Sequence, residues 1–182
     1  MKTKKIMIYI SLMIIVFITI FLYEHNTKSY AFSSKPSNSE AAERLTYKDY
    51  YNSRYEFSIR YPDNLKMGEE SANGDGVVFT DEDGNVKLTV YGSNNIFGVT
   101  VKSAYNDTLR EIPKVSYKKQ SGNWYLVSWV KNNKIIYKKE VVGEGSINTL
   151  IFEYPLTQKK LYDEFLQNLN TYFKTPGIGE TH

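Results

Sequence analysis

The chain has 182 residues, enough for one domain with a hydrophobic core, and its 23 Lys and Arg against 20 Asp and Glu give a formal charge of +3. Lys2, Lys4 and Lys5 account for this excess, so the rest of the chain is neutral and we expect no nucleic-acid partner. No cysteine is present, which excludes disulfides, thiolate nucleophiles, cysteine-ligated metals and a cysteine-linked lipid anchor.

Residues 6–23 form an uncharged, mostly apolar run that follows three lysines. As a helix this run would be about 27 Å long at roughly 1.5 Å per residue, close to the hydrocarbon thickness of a bilayer. We predict a retained transmembrane signal anchor, with residues 1–5 in the cytoplasm and residues 24–182 outside the cell, because positive charges stay inside. The alternative is a signal peptide cleaved after Ala31, which would give a secreted protein. The first prediction makes the chain a single-pass protein of the cell membrane.

Residues 24–44 are rich in Ser and Asn and show no sustained periodicity, which predicts a flexible stalk. The folded domain is then expected over residues 45–174, and residues 175–182 are expected to form a loose tail. Alternating apolar residues predict a strand over residues 55–61, ended by Pro62. Residues 45–49 are its predicted hairpin partner.

The sequence of the rest of the domain predicts two further groups of strands and two helices. A hairpin is expected from residues 77–80 and 86–91, and apolar residues at helical spacing predict a helix over residues 100–111. Segments rich in β-branched and aromatic residues predict a meander at residues 115–119, 124–131, 135–142 and 147–154. A second amphipathic helix is predicted over residues 158–173. The fold class is therefore α+β, with helices on an antiparallel sheet of about six to seven strands.

Several segments resemble PsbP-like domains. YNSRYEFSIRYPDNL is similar to the first motif of that superfamily, in which an aromatic-rich strand ends in Tyr-Pro. The segments GDGVVF…GNVKLTVYG and GNWYLVSWV…KIIYKKEVV, and Tyr154-Pro155 before the last helix, look like later parts of the same fold.

The resemblance covers residues 45–173 and implies an antiparallel sheet sandwiched by helices, an α/β/α arrangement. Members of the superfamily include the extrinsic subunit of photosystem II and a release factor for a small GTPase. Many bacterial members are exported proteins without an assigned role, and this is the comparison that we carry forward. The histidines proposed to contact metal in the plant protein have no matching histidine in this chain.

Catalytic residue types are scarce. His25 lies beside the predicted anchor and His182 in the predicted tail, so a Ser-His-Asp triad or a histidine zinc site has no histidine in the predicted domain. No motif points to a Ser–Lys dyad. We therefore predict a protein that is not an enzyme, with no catalytic residues, no cofactor and no metal site.

Paired carboxylates are the exception, because glycosidases need two acids across a cleft. The acids on or near predicted strands are Glu69, Glu70, Glu140, Glu144 and Glu153. Adjacent strand residues point to opposite faces, so Glu69 and Glu70 are not expected to converge. Solvated surface positions are their more ordinary role.

An acidic turn follows the strand at residues 77–80. Three of its residues match the first ligand positions of an EF-hand loop: Asp81, Asp83 and Asn85. The required glycine at the sixth position is a valine, and the required Glu at the twelfth is a glycine. We predict a tight hairpin turn; the alternative is a weak calcium site completed by Asp75.

Aromatic residues cluster in two places among the 16 tyrosines. The first cluster lies around the first hairpin and consists of Tyr47, Tyr50, Tyr51 and Tyr55, and the second consists of Trp124, Tyr125 and Trp129. Such rings ordinarily pack half-buried on strands, although exposed ones would serve as ligand anchors.

The leading functional hypothesis is a membrane-anchored, extracytoplasmic, non-enzymatic domain that binds a protein partner in the cell envelope. The first alternative is a cell-wall glycan-binding module. The second is a carboxylate-dependent glycan hydrolase.

Overall fold

The computed structural model describes residues 45–182, so the predicted anchor and stalk lie outside the described residues. The strands are β1 (Tyr47–Asn52), β2 (Phe57–Pro62), β3 (Lys66–Met67), β4 (Gly76–Thr80), β5 (Lys87–Asn94), β6 (Val115–Ser121), β7 (Trp124–Lys131), β8 (Lys134–Val142), β9 (Ser146–Pro155) and β10 (Phe173–Lys174). The helices are α1 (Val101–Glu111), α2 (Lys159–Gln167) and α3 (Leu169–Tyr172), and one 3₁₀ turn spans Leu156–Gln158. None of the helices in this part of the chain is long and apolar enough to cross a bilayer.

The strands form two antiparallel sheets. The larger has seven strands in the order β3-β4-β5-β9-β8-β7-β6, and the smaller has the order β1-β2-β10. The predicted antiparallel α+β class is confirmed. The first predicted hairpin, however, belongs to a separate small sheet and does not join the main one.

The helix predicted over residues 100–111 is α1. Its N-cap is Thr100, whose hydroxyl accepts a hydrogen bond from the Ser103 backbone N–H at 3.1 Å, and the Ser103 hydroxyl bonds back to the Thr100 N–H at 3.0 Å. This reciprocal cap satisfies donors that would otherwise be unpaired at the helix start.

The last predicted helix is shorter than residues 158–173 and is interrupted. A break at Asn168 separates α2 from α3, and Phe173 leaves the helix to pair with Ile59 in β2. The Phe173 ring is buried and meets the Phe57 ring at a centroid distance of 5.9 Å. Burial against a distant strand therefore overrides the helical periodicity at this position.

The core lies between one face of the seven-stranded sheet and a layer formed by the small sheet, α2 and α3. Phe152 of β9 is at its centre, fully buried, with ring centroids of Tyr162 and Phe165 at 4.9 and 5.2 Å. Because strand residues alternate between faces, the other face of β7 and β8 is left for α1.

Asn132 and Asn133 form the turn that joins β7 to β8. Both residues have positive φ, 51° and 59°, which is the geometry of a tight two-residue hairpin. Asparagine tolerates this conformation better than most residues, so the turn fixes the register of the strand pair that carries the site described below.

Residues 175–182, predicted as a loose tail, lie against the turn between β8 and β9 in the structure. The Ile178 carbonyl accepts a hydrogen bond from the Ser146 N–H at 3.2 Å, and His182 exchanges backbone hydrogen bonds with the Asn94 side chain. A Cβ at Gly143 would come within 1.9 Å of the Ile178 oxygen. The glycine at this turn therefore allows the tail to approach the sheet.

Candidate functional site

An open cleft of about 670 Å³ lies between the outer strands of the large sheet and the C-terminal helices. Its sheet wall consists of side chains from β6, β7, β8 and β9, and its other wall consists of α2 and α3. The side chains used below are Tyr117, Lys119, Trp124, Tyr137, Tyr154 and Asn170. Concave, mostly apolar surfaces of this size are typical of ligand sites.

Trp124 carries two cations beside its ring. The ammonium of Lys139 lies 4.8 Å from the ring centroid and that of Lys119 lies 5.7 Å from it. Both distances are within the range of cation–π attraction. The cleft therefore has a positively charged aromatic wall, although the chain beyond its first lysines is neutral.

Lys139 is the unusual member of this pair because it is only 3 % exposed. Its ammonium donates to the Asn170 side-chain oxygen, a neutral partner, and within residues 45–182 it has no carboxylate in ion-pair range. Burial lowers the pKa of Lys139 from 10.5 to about 8. A cation whose charge no acidic group of the described chain offsets therefore lies behind the cleft wall, in contact with Trp124 and Asn170.

Two tyrosines on the sheet wall remain protonated. Burial, with the nearby Asp163 carboxylate, raises the pKa of Tyr154 to about 12, and burial also raises the pKa of Tyr137. Their rings contribute apolar surface to the cleft.

β6 forms one edge of the large sheet and borders the cleft. Its residues after Val115 are all exposed, and its pairing with β7 shifts register between Val115 and Tyr117. Tyr117 and Lys119 share the face that lines the cleft, since residues two apart on a strand point the same way. The outer backbone groups of this strand are not paired within the sheet.

A buried polar network lies on the opposite face of the sheet, beneath α1. Glu140 is the centre of this network: it accepts from the Tyr125 hydroxyl, from Thr149 at 3.3 Å and from the Lys138 ammonium at 2.8 Å. Thr108 of α1 lies 2.7 Å from the Tyr125 hydroxyl and accepts from Lys138 at 3.2 Å.

The donor and acceptor roles in this network follow from the groups that are present. Because the Tyr125 hydroxyl donates to Glu140, it must accept from Thr108, whose oxygen in turn accepts from Lys138. Burial, and then the charge of Glu140, raise the pKa of Tyr125, so its hydroxyl remains a donor. A network in which each group is paired in this way fixes α1 on the sheet, and we assign it a structural role.

The first aromatic cluster is mostly internal. Tyr50 and Tyr55 are buried, and the Tyr50 hydroxyl donates to Glu70 at 2.5 Å. Tyr51 is 57 % exposed, and Tyr47 packs at a centroid distance of 5.1 Å from Tyr172. Packing, the more ordinary expectation, therefore holds for three of the four rings.

The second cluster divides across the sheet as its alternation predicts. Trp124 lines the cleft, whereas Tyr125 is fully buried under α1. Trp129 lines a separate cleft of about 480 Å³ beside α1 and Lys138.

The predicted acids do not converge on one surface. Glu69, Glu70 and Glu144 are exposed, whereas Glu140 is buried, so its predicted surface position is wrong. The carboxylate that lines the cleft is Asp163, which is held by Lys159 at 2.9 Å. Glycosidases require two acids on opposite sides of a cleft, and this arrangement does not provide them.

The acidic segment at Asp81 is a hairpin turn, as predicted. The Asp81 carboxylate accepts from the Val86 N–H at 2.9 Å, and Gly84 adopts a φ of 68°. Asp75 instead pairs with Arg54 at 2.8 Å. Within residues 45–182, no cluster of three or more His, Cys, Asp or Glu side chains could hold a metal ion.

Replacing Asp81 with alanine should lower the free energy of unfolding by about 1 kcal/mol, because the Val86 N–H loses its side-chain acceptor. Asp83→Ala in the same turn should change it by less than about 0.5 kcal/mol, since Asp83 is exposed. Urea unfolding of both variants measures the difference. A rise in melting temperature of the wild type on adding calcium would contradict the hairpin assignment.

His182 is part of the folded structure, contrary to its predicted place in a tail. Its ring meets Tyr55 at a centroid distance of 5.1 Å and approaches the Gly177 carbonyl at 3.2 Å. It lies away from the residues that line the cleft, so it supplies no base there.

An exposed apolar loop tip lies between β5 and α1, and the sequence patterns considered above do not predict it. Ile96 and Phe97 are 73 % and 86 % exposed. The Asn95 side chain anchors the loop, because it bonds both backbone groups of Val99 and the carbonyl of Gly143. Two apolar residues before a glycine, outside any alternating pattern, are the signal that could have identified this tip.

Comparison with solved structures identifies the fold. Cyanobacterial PsbP from Synechocystis sp. PCC 6803 matches with a TM-score of 0.55 and 10 % identity, over 78 % of this chain and 99 % of that chain. The match confirms the resemblance in the form of a PsbP-like fold, and at this identity it shows the fold alone.

A crystal structure from Bacteroides thetaiotaomicron VPI-5482 matches with a TM-score of 0.44 and 15 % identity, over 70 % of this chain and 48 % of that chain. No protein-family model matches the chain. No curated protein matches it either.

Proposed function

From a PsbP-like fold, we propose that the chain is a membrane-anchored, extracytoplasmic domain without catalytic activity that binds a protein partner of the cell envelope. The apolar run at residues 6–23, preceded by lysines, supports the anchor. The open cleft between β6–β8 and α2–α3 is the observation that supports binding.

The composition of the cleft favours a protein partner over a sugar. A sugar ring stacks on an uncovered aromatic face, whereas Trp124 has the Lys119 and Lys139 ammonium groups within 6 Å of its centroid. Tryptophan is among the most common anchors of protein interfaces.

Site-specific photo-crosslinking of the full chain in its native cells tests this proposal. A photoreactive residue in place of Tyr117, which is 52 % exposed at the cleft, should form an adduct with one defined envelope protein. Matched positions away from the cleft are Tyr51 and Phe97, which should not form that adduct. Mass spectrometry of the same adduct reports whether residues 1–23 are retained.

Three outcomes would overturn the proposal. Adducts from Tyr51 or Phe97 alone would move the interface to the first hairpin or to the loop tip. Adducts with wall polymer would favour the glycan-binding alternative, and the absence of adducts at all three positions would exclude a stable partner.

A further inference from the structure

The edge strand beside the cleft is suited to accept another strand. β6 is the last strand of the seven-stranded sheet, and its outer N–H and C=O groups point away from β7. An extended peptide that pairs with such an edge gains backbone hydrogen bonds, and alternate side chains of the peptide point to one face of the sheet. On β6 that face carries Tyr117 and Lys119, which border the cleft.

The charges on this edge select the kind of strand. Lys118 and Lys119 are exposed on β6, and within residues 45–182 neither has a carboxylate in ion-pair range. Lys139 adds a buried, unpaired positive charge behind Trp124. A strand with carboxylates beside these lysines would supply the missing counter-charges.

The same charges disfavour a second copy of this chain. Pairing β6 with β6 of another molecule would place Lys118 and Lys119 of the two copies close together, and opposed like charges destabilise strand pairs. Lysines on an edge strand commonly prevent this self-association. These charges therefore favour a different, acidic chain over a second copy as a partner for this edge.

We propose that the partner binds through an extended acidic peptide segment, which adds as an eighth strand along β6. Every second residue of the segment faces the cleft, and these cleft-facing positions place both apolar and acidic side chains against Trp124 and Lys119. This inference rests on the proposed function and names the chemical class of its partner. The apolar side chains of the segment would fill the cleft of about 670 Å³, and its carboxylates would lie beside the Lys119 ammonium.

The first test uses a displayed library of random peptides of about twelve residues, selected on the full chain. Selection should enrich sequences that carry an apolar residue and an Asp or Glu two positions apart, because such residues face the same side of a strand. Synthetic versions of the enriched peptides in which Gln replaces each Glu should bind about tenfold more weakly. Enrichment of neutral or basic peptides, or no enrichment, would overturn the proposal.

The second test reverses the charge of the site. Lys119→Glu should weaken binding of the selected peptides at least about tenfold and should enrich basic peptides in a new selection. Lys87→Glu is the matched control: Lys87 is exposed on β5, four strands away or about 19 Å, and the affinity should not change. Equal loss in both variants would show a nonspecific charge effect and would overturn the proposal.

Hydrogen exchange tests the geometry. Exchange of backbone amides in Val115–Ser121 should slow when a selected peptide is bound, because the outer groups of β6 become paired. Unchanged exchange in this strand would exclude strand addition.

The two proposals fail separately. A protein adduct at Tyr117 without acidic peptide binding would leave the partner-binding function in place and remove this inference. Acidic peptide binding without any cellular adduct would leave this inference about β6 in place and remove the proposed cellular partner.

Discussion

Replacing Glu140 with alanine should lower the free energy of unfolding by about 3–5 kcal/mol, the range found when one partner of a buried ion pair is removed. Glu140 is 9 % exposed, and its carboxylate is the acceptor for Tyr125, Thr149 and Lys138. Without it, the Lys138 ammonium and the Tyr125 hydroxyl lose their acceptor beneath α1. Chemical denaturation followed by circular dichroism measures the loss.

Two variants show whether the network is the cause. Glu144→Ala, at the exposed turn after β8, should change the free energy of unfolding by less than about 0.5 kcal/mol. Combining Lys138→Met with Glu140→Leu should cost less than Glu140→Ala alone, because both charges leave the interior together. A cost below about 1 kcal/mol for Glu140→Ala would show that the carboxylate is not a buried ionic acceptor.

Lys139→Met should stabilise the protein by about 2 kcal/mol at pH 7, and this gain should fall towards zero near pH 10. Burial lowers the pKa of Lys139 from 10.5 to about 8 in the folded protein, a shift worth about 3 kcal/mol at 1.36 kcal/mol per unit. Loss of the contact between the ammonium and Trp124, 4.8 Å away, offsets about 1 kcal/mol of this.

The pH dependence has a definite sign. Below pH 8 the folded and unfolded states both hold the Lys139 proton, so the wild type bears the full cost of burying the charge. Between pH 8 and 10.5 the folded state loses the proton first, and the wild type gains stability relative to the variant. Comparing wild type and variant at each pH cancels the titration of the tyrosines.

Lys119→Met is the matched control, because Lys119 approaches the same ring but is exposed. Its effect on the free energy of unfolding should stay within about 0.5 kcal/mol and should not vary with pH. A Lys139→Met difference that stayed constant from pH 7 to 10 would show that the pKa of Lys139 is not lowered, and hence that burying its charge costs no stability.

The elements that sequence predicts well are those defined by local patterns. Three such patterns depend only on neighbours in the chain: the alternation around Ile59, the turn residues Asn132 and Asn133, and the helical spacing before Pro113. Short-range chemistry therefore determines both hairpins, α1 and the meander.

The elements that escape prediction depend on distant partners. Phe173 continues a helical pattern, but its position is decided by Ile59 and Phe57 of the small sheet. The cleft likewise forms only when β6–β8 and the C-terminal helices come together. One local signal of the buried charges was available: Lys138, Lys139 and Glu140 interrupt an otherwise apolar strand, a pattern unusual for a surface segment.

The small sheet also governs when the domain finishes folding. β1 and β2 lie at the start of the described chain, yet β2 has β10 as its second neighbour, at Phe173 and Lys174. Closing a loop that contains the whole large sheet is slow, because its entropy must be lost before the contacts form. This pairing cannot be completed until the chain is available as far as Lys174. The small sheet thus joins the two ends of the described domain, and its completion depends on the whole sequence between them.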